Sequence, residues 1–500
     1  MPPQGYPGGR FKPLSERDVQ RIHAAALQVL DTVGMGFIGN MPPGAARVIE
    51  RGGRLTDAGR LCIPPALVEE AIAKARRSWT LHGLNDERSI EITAKGVNCG
   101  TAGGAVEILD LETGAYRLPN LADLYDVVRL IDTLPNIRWC YRPLIARDMV
   151  SVRDLDINTA YALVTGTTKP WGITIGAPEN VPEVVALLDM VLGGEGRFSR
   201  APCCHMIQGA GVPPLRFAED RCLILEEALR HGMPVVIAST PQAGATAPAA
   251  LAGTLVQVIA EVLAGLTYVH VLAPSHPVTI AAWPVLVDLR TGAMSGGCAE
   301  VALMMAGAAQ MAIFYEIPCS VAAAMTDSKI TDAQSGFEKA FTVGLAGLAG
   351  ANMIHESAGM LASLIGCSLE SFVIDNEMLG NLARILRGIE VTDDTLSVDV
   401  IRSVNTEGPH HYLAHQQTLD MMWSEFHYGP LSDRLSPGEW RERGATDIVQ
   451  RARTYVRETL STHFPRHVSP ALDEAIRSRF DIKLPRERMA PPIGSPDNNG

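Results

Sequence analysis

The chain has 500 residues, 47% hydrophobic and 20% charged, enough apolar material for one large core. Its formal net charge of −12 and isoelectric point of about 5.6 argue against a protein that grips a phosphate backbone with a basic face. Nine cysteines, mostly in apolar runs such as "RWCYRPLIA" and "IPCSVAAAM" and never as C-x-x-C, fit reduced thiols in a cytoplasmic protein rather than a disulfide framework.

The N-terminal stretch "MPPQGYPGGRFKPLSERD" has no apolar core of a secretory signal. From Ser15 to Val33 apolar residues recur at helical spacing, with Ser15 as N-cap and Gly34 as the stop. Mixed segments follow to about residue 92, so residues 1–92 are read as an N-terminal α+β subdomain.

A rhythm then begins. Short runs of small and β-branched apolar residues fall at 97–106, 138–146, 171–177, 202–210, 234–240, 277–283, 319–325 and 351–357. Most are separated by helical patterns such as "NVPEVVALLDMVLGG" and "RFAEDRCLILEEALRHG". These runs are continuously apolar rather than alternating, as strands covered on both faces are. Eight of them with helical crossovers predict a (β/α)8 TIM barrel over residues 93–392. An open doubly wound sheet fits less well, because "GTAGGA" at 100–105 lacks the third glycine of a dinucleotide fingerprint. The apolar stretch from Ala249 to Leu272 carries Gln257, Glu261 and His270, so it reads as a buried helix and not a membrane span. Residues 393–483 are more charged, contain the amphipathic "DIVQRARTYVRETLSTH", and read as a C-terminal helical extension. Residues 484–500 are Pro/Gly-rich and read as a flexible tail.

A barrel of this kind places its chemistry at the C-terminal ends of the strands. That rule selects Tyr141, Arg142, His205, Gln208 and Trp283, then Asp327 and Lys329 in "TDSK", and finally His355 and Glu356. Each also has a structural reading: aromatic rings at strand ends commonly fill the core, and "TDSK" leads into a helix capped by Asp332. Cys203, Cys204 and His205 point alternately to opposite faces of a strand, which disfavours a shared metal ion. The stretch "HHYLAHQQTLDMMWSEFHYGPLSDR" (410–434) holds four of the thirteen histidines. His411 and His415 lie four apart but without the glutamate of H-E-x-x-H. The stretch predicts a helix from about Tyr412 to Phe426 that covers one end of the barrel and turns its aromatic rings inward; the alternative is that Tyr412, Trp423, Phe426 and Tyr428 contribute to a cation-binding cage or a partner surface.

"MTDSKITDAQSGFEKAF", "GANMIHESAGMLAS", "SFVIDNEMLGNLARIL", "HHYLAHQQTLDMMWSEF" and "AGATAPAALAGTLVQVIAEVLAGL" together resemble the trimethylamine methyltransferase family, over nearly the whole chain. The resemblance implies a TIM barrel that moves a methyl group from a methylated amine to the Co(I) centre of a corrinoid carried by a separate protein. It implies no cofactor bound by this chain itself. The founding enzyme uses pyrrolysine; none is written here, and the resemblance places its equivalent between Met325 and Gln334. That departure points to a quaternary amine such as glycine betaine, whose leaving group is a neutral tertiary amine and needs no general acid. The residues expected to carry chemistry are Asp327, Lys329, His355 and Glu356. Those expected to bind the cation and carboxylate are Tyr141, Arg142, His205, Gln208, Trp283 and Tyr315. No metal, nucleic acid or membrane is expected, and self-association is left open. The rival readings are a metal-dependent barrel enzyme and a betaine-binding protein without catalysis.

Overall fold

The computed structural model describes residues 2–406, 408 and 410–491. All eight apolar runs become parallel strands: β1 (Gly96–Cys99), β2 (Cys140–Tyr141), β3 (Trp171–Ile173), β4 (Cys204–Ile207), β5 (Val235–Ser239), β6 (Val278–Ala282), β7 (Cys319–Ala322) and β8 (Met353–His355). Long helices run outside the strands: α1 (Leu121–Thr133), α2 (Val152–Gly166), α3 (Asn180–Val191), α4 (Glu219–Arg230), α5 (Leu251–Leu272), α6 (Ala299–Tyr315), α7 (Ala333–Ala349) and α8 (Leu369–Arg387). Each strand pairs with the next from β2 to β8, and β8 pairs with β1 through Met353↔Asn98. The last seam closes where Arg138 N–H donates to the Cys99 carbonyl (2.8 Å) and Thr101 N–H to the Trp139 carbonyl (3.3 Å). The result is a closed (β/α)8 barrel.

The strands are shorter than the apolar runs, for local reasons. β1 ends before Gly103 and Gly104, whose φ angles of 111° and 66° turn the chain where other residues would be strained. β2 stops before Pro143, which has no N–H for the ladder. Every residue of β5, β6 and β7 is buried, because helices cover the outside and side chains fill the inside.

One feature closes the N-terminal face of the barrel. A hairpin of Ser78–Leu81 with Ile90–Thr93 turns Trp79, Leu81, Ile90 and Ile92 onto Trp139, Tyr141 and Met353, forming a second apolar cluster inside the barrel. Its flanks bond to the strand starts, His82 N–H to the Pro202 carbonyl (3.0 Å) and Leu84 N–H to the Thr168 carbonyl (2.9 Å). The helix Glu16–Thr32, capped by Ser15 as expected, packs with Pro65–Lys74 on α5. α5 is the one described helix long and apolar enough to cross a membrane, yet it is mostly buried inside the fold. Its Glu261 is buried and fully used, accepting from Ser239 Oγ (2.5 Å), Leu215 N–H (2.8 Å) and Gln257 Nε2 (3.0 Å).

The C-terminal segment differs from expectation. The helix there is Gln416–Glu425, shorter than 412–426, with His415 as its N-cap accepting from Gln417 N–H. His411 therefore precedes the helix and shares no face with His415. The helix does not turn its aromatic rings inward: Trp423, Phe426 and Tyr428 are exposed, and no residue of it is buried. A ten-residue segment with only Leu419, Met421, Met422 and Trp423 as large apolar residues lacks a stripe wide enough to anchor it over the barrel. The later helix Ile448–Thr462, capped by Asp447, does pack, against α8. Leu484 is fully buried, its carbonyl accepting from Arg477 (2.8 Å); residues 492–500 of the expected tail lie outside the described residues.

Candidate active site

The C-terminal half of the barrel interior is filled by rings and polar groups. In register, Tyr141 of β2 lies beside Gly172 of β3, and Gly172 beside His205 of β4. A Cβ at residue 172 would meet Tyr141 at 2.2 Å and His205 at 2.7 Å, so only glycine lets these two side chains meet inside the barrel. His355 of β8 lies at their centre. Its ring centroid is 5.0 Å from Trp139, 5.5 Å from Trp283, 5.6 Å from His205 and 6.1 Å from Tyr141.

The hydrogen bonds within this cluster form a chain. Trp283 Nε1–H can only donate, and it reaches Ser320 Oγ at 3.1 Å. Ser320 Oγ is also hydrogen-bonded to His355 Nδ1 (2.7 Å), and His355 Nε2 to His205 Nε2 (3.3 Å), one ring donating to the other. Burial pushes the His205 pKa down to about 3. It also holds His355 well below the usual imidazole range, with His205 adding to the effect. Both rings are neutral at pH 7, so the pair is a rigid polar floor and not a store of acid. Tyr141 Oη completes it with a 2.6 Å bond to Thr174 Oγ1.

Above this floor are two ionisable side chains with atoms that lack a partner among the described residues. Glu356 follows β8 and is buried, and burial raises its pKa to about 8. Its φ of 62° is a strained value for a residue with a side chain, at a cost of roughly 1–2 kcal/mol. Arg142 follows β2 and is partly buried, with its pKa lowered by that burial. Glu356 Oε2 and Arg142 Nε are enclosed with no hydrogen-bond partner among the described residues. The loop after β1 separates them. A Cβ on Gly103 would lie 2.8 Å from Glu356 Oε2, and one on Gly104 3.0 Å from Arg142 Nη2.

The turn that carries Glu356 is anchored from beneath. Ser357 N–H donates to the Gly100 carbonyl (3.1 Å), and Gly359 N–H to Asp375 Oδ2 (2.8 Å). Asp375 is held in turn by Lys339 Nζ (2.7 Å), which also donates to Ser371 Oγ (2.6 Å). This Lys339–Asp375 pair is buried between α7 and α8. An unpaired buried carboxyl at a strained φ therefore persists because the surrounding structure over-determines its backbone.

Other expected residues serve elsewhere. Asp327 joins three loops, accepting from Ser295 Oγ (2.5 Å) and Gly296 N–H (2.9 Å) after β6 and from Ser363 Oγ (2.7 Å) after β8. Lys329 is exposed and donates to the Asp327 carbonyl (2.7 Å). Gln208 donates to the Arg221 carbonyl (3.0 Å) at the start of α4. Tyr315 is on the last turn of α6, which leads into β7, so it lies at the opposite face of the barrel, bonded to His23 Nδ1 (3.1 Å). Sequence reasoning missed Trp139, Ser320 and the Gly103–Gly104 turn. The signal for the first two was period two: Trp139 is two residues before Tyr141, and Ser320 two before Ala322, the register partner of His355. A cavity of about 660 Å³ lies outside the barrel, among α3, α4 and Arg479, and is separate from this cluster.

The sequence model of the trimethylamine methyltransferase (MTTB) family matches residues 6–485, so the chain belongs to that family and is a methyltransferase. A glycine betaine methyltransferase of Desulfitobacterium hafniense (strain Y51) is 28% identical over 474 residues, covering 94% of this chain and 96% of the relative. A trimethylamine methyltransferase MttB of Desulfitobacterium hafniense (strain DSM 10664 / DCB-2) is 30% identical over 475 residues, covering 93% and 92%. The one from Methanosarcina thermophila is 29% identical over 455 residues, covering 90% and 92%. Among solved structures, the monomethylamine methyltransferase of Methanosarcina barkeri aligns with a TM-score of 0.44 and 12% identity, over 91% of this chain and 94% of that one.

Proposed function

We propose that this family member demethylates a zwitterionic quaternary amine of the glycine betaine type. The observation that carries the reading is the pair Glu356 and Arg142, two ionisable side chains on either side of the Gly103–Gly104 turn, whose Oε2 and Nε atoms are enclosed without a partner among the described residues. A lone buried charge is costly, and a ligand with one positive and one negative end satisfies both at once. Glu356 faces the ammonium and Arg142 the carboxylate. Trp283 and Tyr141, the aromatic rings of the floor, add cation–π attraction of roughly 0.5–2 kcal/mol each where a ring face meets the methyl groups.

The acceptor in this reading is the Co(I) centre of a corrinoid carried by a separate protein, which supplies the nucleophile. This chain's part is to desolvate the cation and hold one N–CH3 bond in line. The leaving group is a neutral tertiary amine, so no protonated side chain is required. The neutral histidine floor suits that chemistry, and the absence of pyrrolysine from the sequence removes the feature tied to trimethylamine.

The test is enzyme-dependent loss of Co(I) cobalamin with formation of methylcobalamin, offered glycine betaine, proline betaine, carnitine, choline and trimethylamine in turn. Turnover with a betaine and not with choline supports the zwitterion reading. Turnover with trimethylamine alone overturns it, and betaine binding without turnover replaces the enzyme by a binding protein.

A further inference from the structure

We infer that Asp327 is a positioning residue for methyl transfer: it clasps a strained hairpin tip at residues 362–364 and so fixes Met360 and Glu356 beside the substrate. The inference rests on the reading of Glu356 as the group that faces the ammonium.

After Glu356 the chain forms a hairpin, Met360–Leu361 against Gly366–Ser368. At its tip Ala362, Ser363 and Leu364 have φ angles of 50°, 54° and 74°. Left-handed backbone is disfavoured for every residue with a Cβ, and here three such residues follow one another without a glycine. The tip keeps this backbone because its polar groups are used in it. Ala362 N–H donates to the Ser328 carbonyl (2.8 Å) and Ser363 N–H to the Thr326 carbonyl (2.8 Å). The Ser363 hydroxyl donates to Asp327 Oδ1 (2.7 Å). On the other side, the Ile365 carbonyl accepts from Val106 N–H and Glu107 N–H (3.0 Å each) in the loop after β1.

The loop that holds the tip is itself held. Thr326 Oγ1 and Asp327 N–H both donate to Glu338 Oε2 (2.5 and 2.8 Å), and Ser328 Oγ donates to Asp332 Oδ1 (2.9 Å), which ties the loop after β7 to α7. The Asp327 carboxylate then joins this loop to its neighbours. Oδ2 accepts from Ser295 Oγ after β6, and Oδ1 accepts from Gly296 N–H as well as from Ser363.

The root of the hairpin lies in the candidate active site. Met360 is buried, and a Cβ on Gly103 would lie 2.8 Å from both Met360 Sδ and Glu356 Oε2, so the two side chains converge on one glycine. Once the tip is released, its three residues relax toward ordinary backbone, Met360 is drawn off Gly103, and the Glu356 side chain loses a wall. The kinetic consequence follows from the chemistry. Positive charge on nitrogen fades as the methyl group leaves, so a carboxylate facing the ammonium contributes more to binding than to the transition state. Loss of the clasp therefore acts on KM more than on kcat.

The clasp is tested first by hydrogen exchange on the full-length chain without substrate. The Ala362 and Ser363 amides report it directly, because their bonds to the loop after β7 break when it opens. Asp327→Ala and Ser363→Ala should each speed their exchange by about tenfold, the effect of losing one hydrogen bond to a charged group. Ala362→Gly keeps every bond and relieves one left-handed φ, so protection relative to the intrinsic rate should rise by about threefold. In turnover, Asp327→Ala should raise KM by about tenfold and change kcat by less than about twofold. Asp327→Asn, whose side-chain carbonyl still accepts from Gly296 N–H, should recover part of the KM. Unchanged exchange in both alanine variants overturns the clasp, whichever amine is the substrate. Faster exchange with an unchanged KM, or with the whole loss in kcat, overturns the positioning role. A wild type that turns over no amine overturns the substrate reading and the positioning role with it, while the exchange result still decides the clasp.

Discussion

Glu356 supplies the sharpest prediction. Its carboxyl is buried without a partner and its pKa is raised to about 8 by that burial. At pH 7 roughly one molecule in ten therefore carries the charge that a quaternary ammonium needs, and ionising the rest costs about 1.4 kcal/mol, a factor of about ten in affinity. At pH 9 that cost is nearly gone. Glycine betaine should thus bind about tenfold more tightly at pH 9 than at pH 7, and binding at pH 7 should release close to one proton. Neither histidine of the floor changes charge in this range, since burial keeps both neutral. The assay is isothermal titration calorimetry at pH 7, 8 and 9, repeated in buffers of different ionisation enthalpy. Glu356→Gln should bind more weakly and lose both the slope and the buffer dependence. A flat profile in the wild type, or a slope that survives in Glu356→Gln, refutes the assignment.

The same shift sets the stability of the free protein. A carboxyl raised from 4.5 to about 8 favours folding below its unfolded pKa, and this contribution is lost as pH rises through 8. The melting temperature of the wild type should fall between pH 5 and pH 8, and differential scanning calorimetry should show a flatter dependence in Glu356→Gln. Asp375→Asn leaves the buried Lys339 ammonium without its anion and should cost roughly 3–5 kcal/mol by urea denaturation. Replacing both partners, Lys339→Met with Asp375→Leu, should restore part of that stability but weaken betaine binding, because Gly359 N–H loses its acceptor. Ser320→Ala leaves the Trp283 N–H and His355 Nδ1 without a partner and should lower stability by roughly 1–3 kcal/mol. Gly103→Ala should abolish betaine binding in a folded protein, since the new methyl group would lie 2.8 Å from Glu356 Oε2.

The amino-acid order by itself determined the barrel. Eight continuously apolar runs between amphipathic segments fit strands covered on both sides, and the cap residues Ser15 and Asp332 mark their helices through local bonds. Strand-end position also brought forward Tyr141, His205, Trp283 and His355, which do meet, because register between neighbouring strands follows from the barrel. Tertiary structure alone decided which polar strand-end residues face inward and stay unpaired. Asp327 and Glu356 look alike in sequence; Asp327 accepts from the two neighbouring loops, and Glu356 Oε2 has no partner among the described residues, at φ 62°. It also decided the fate of the aromatic stretch near the C-terminus. A helix spacing of apolar residues shows that a face exists, but what covers that face depends on where α8 ends and on what other surface comes within reach. Those are long-range facts, fixed by packing between residues far apart in the chain, and no local pattern encodes them.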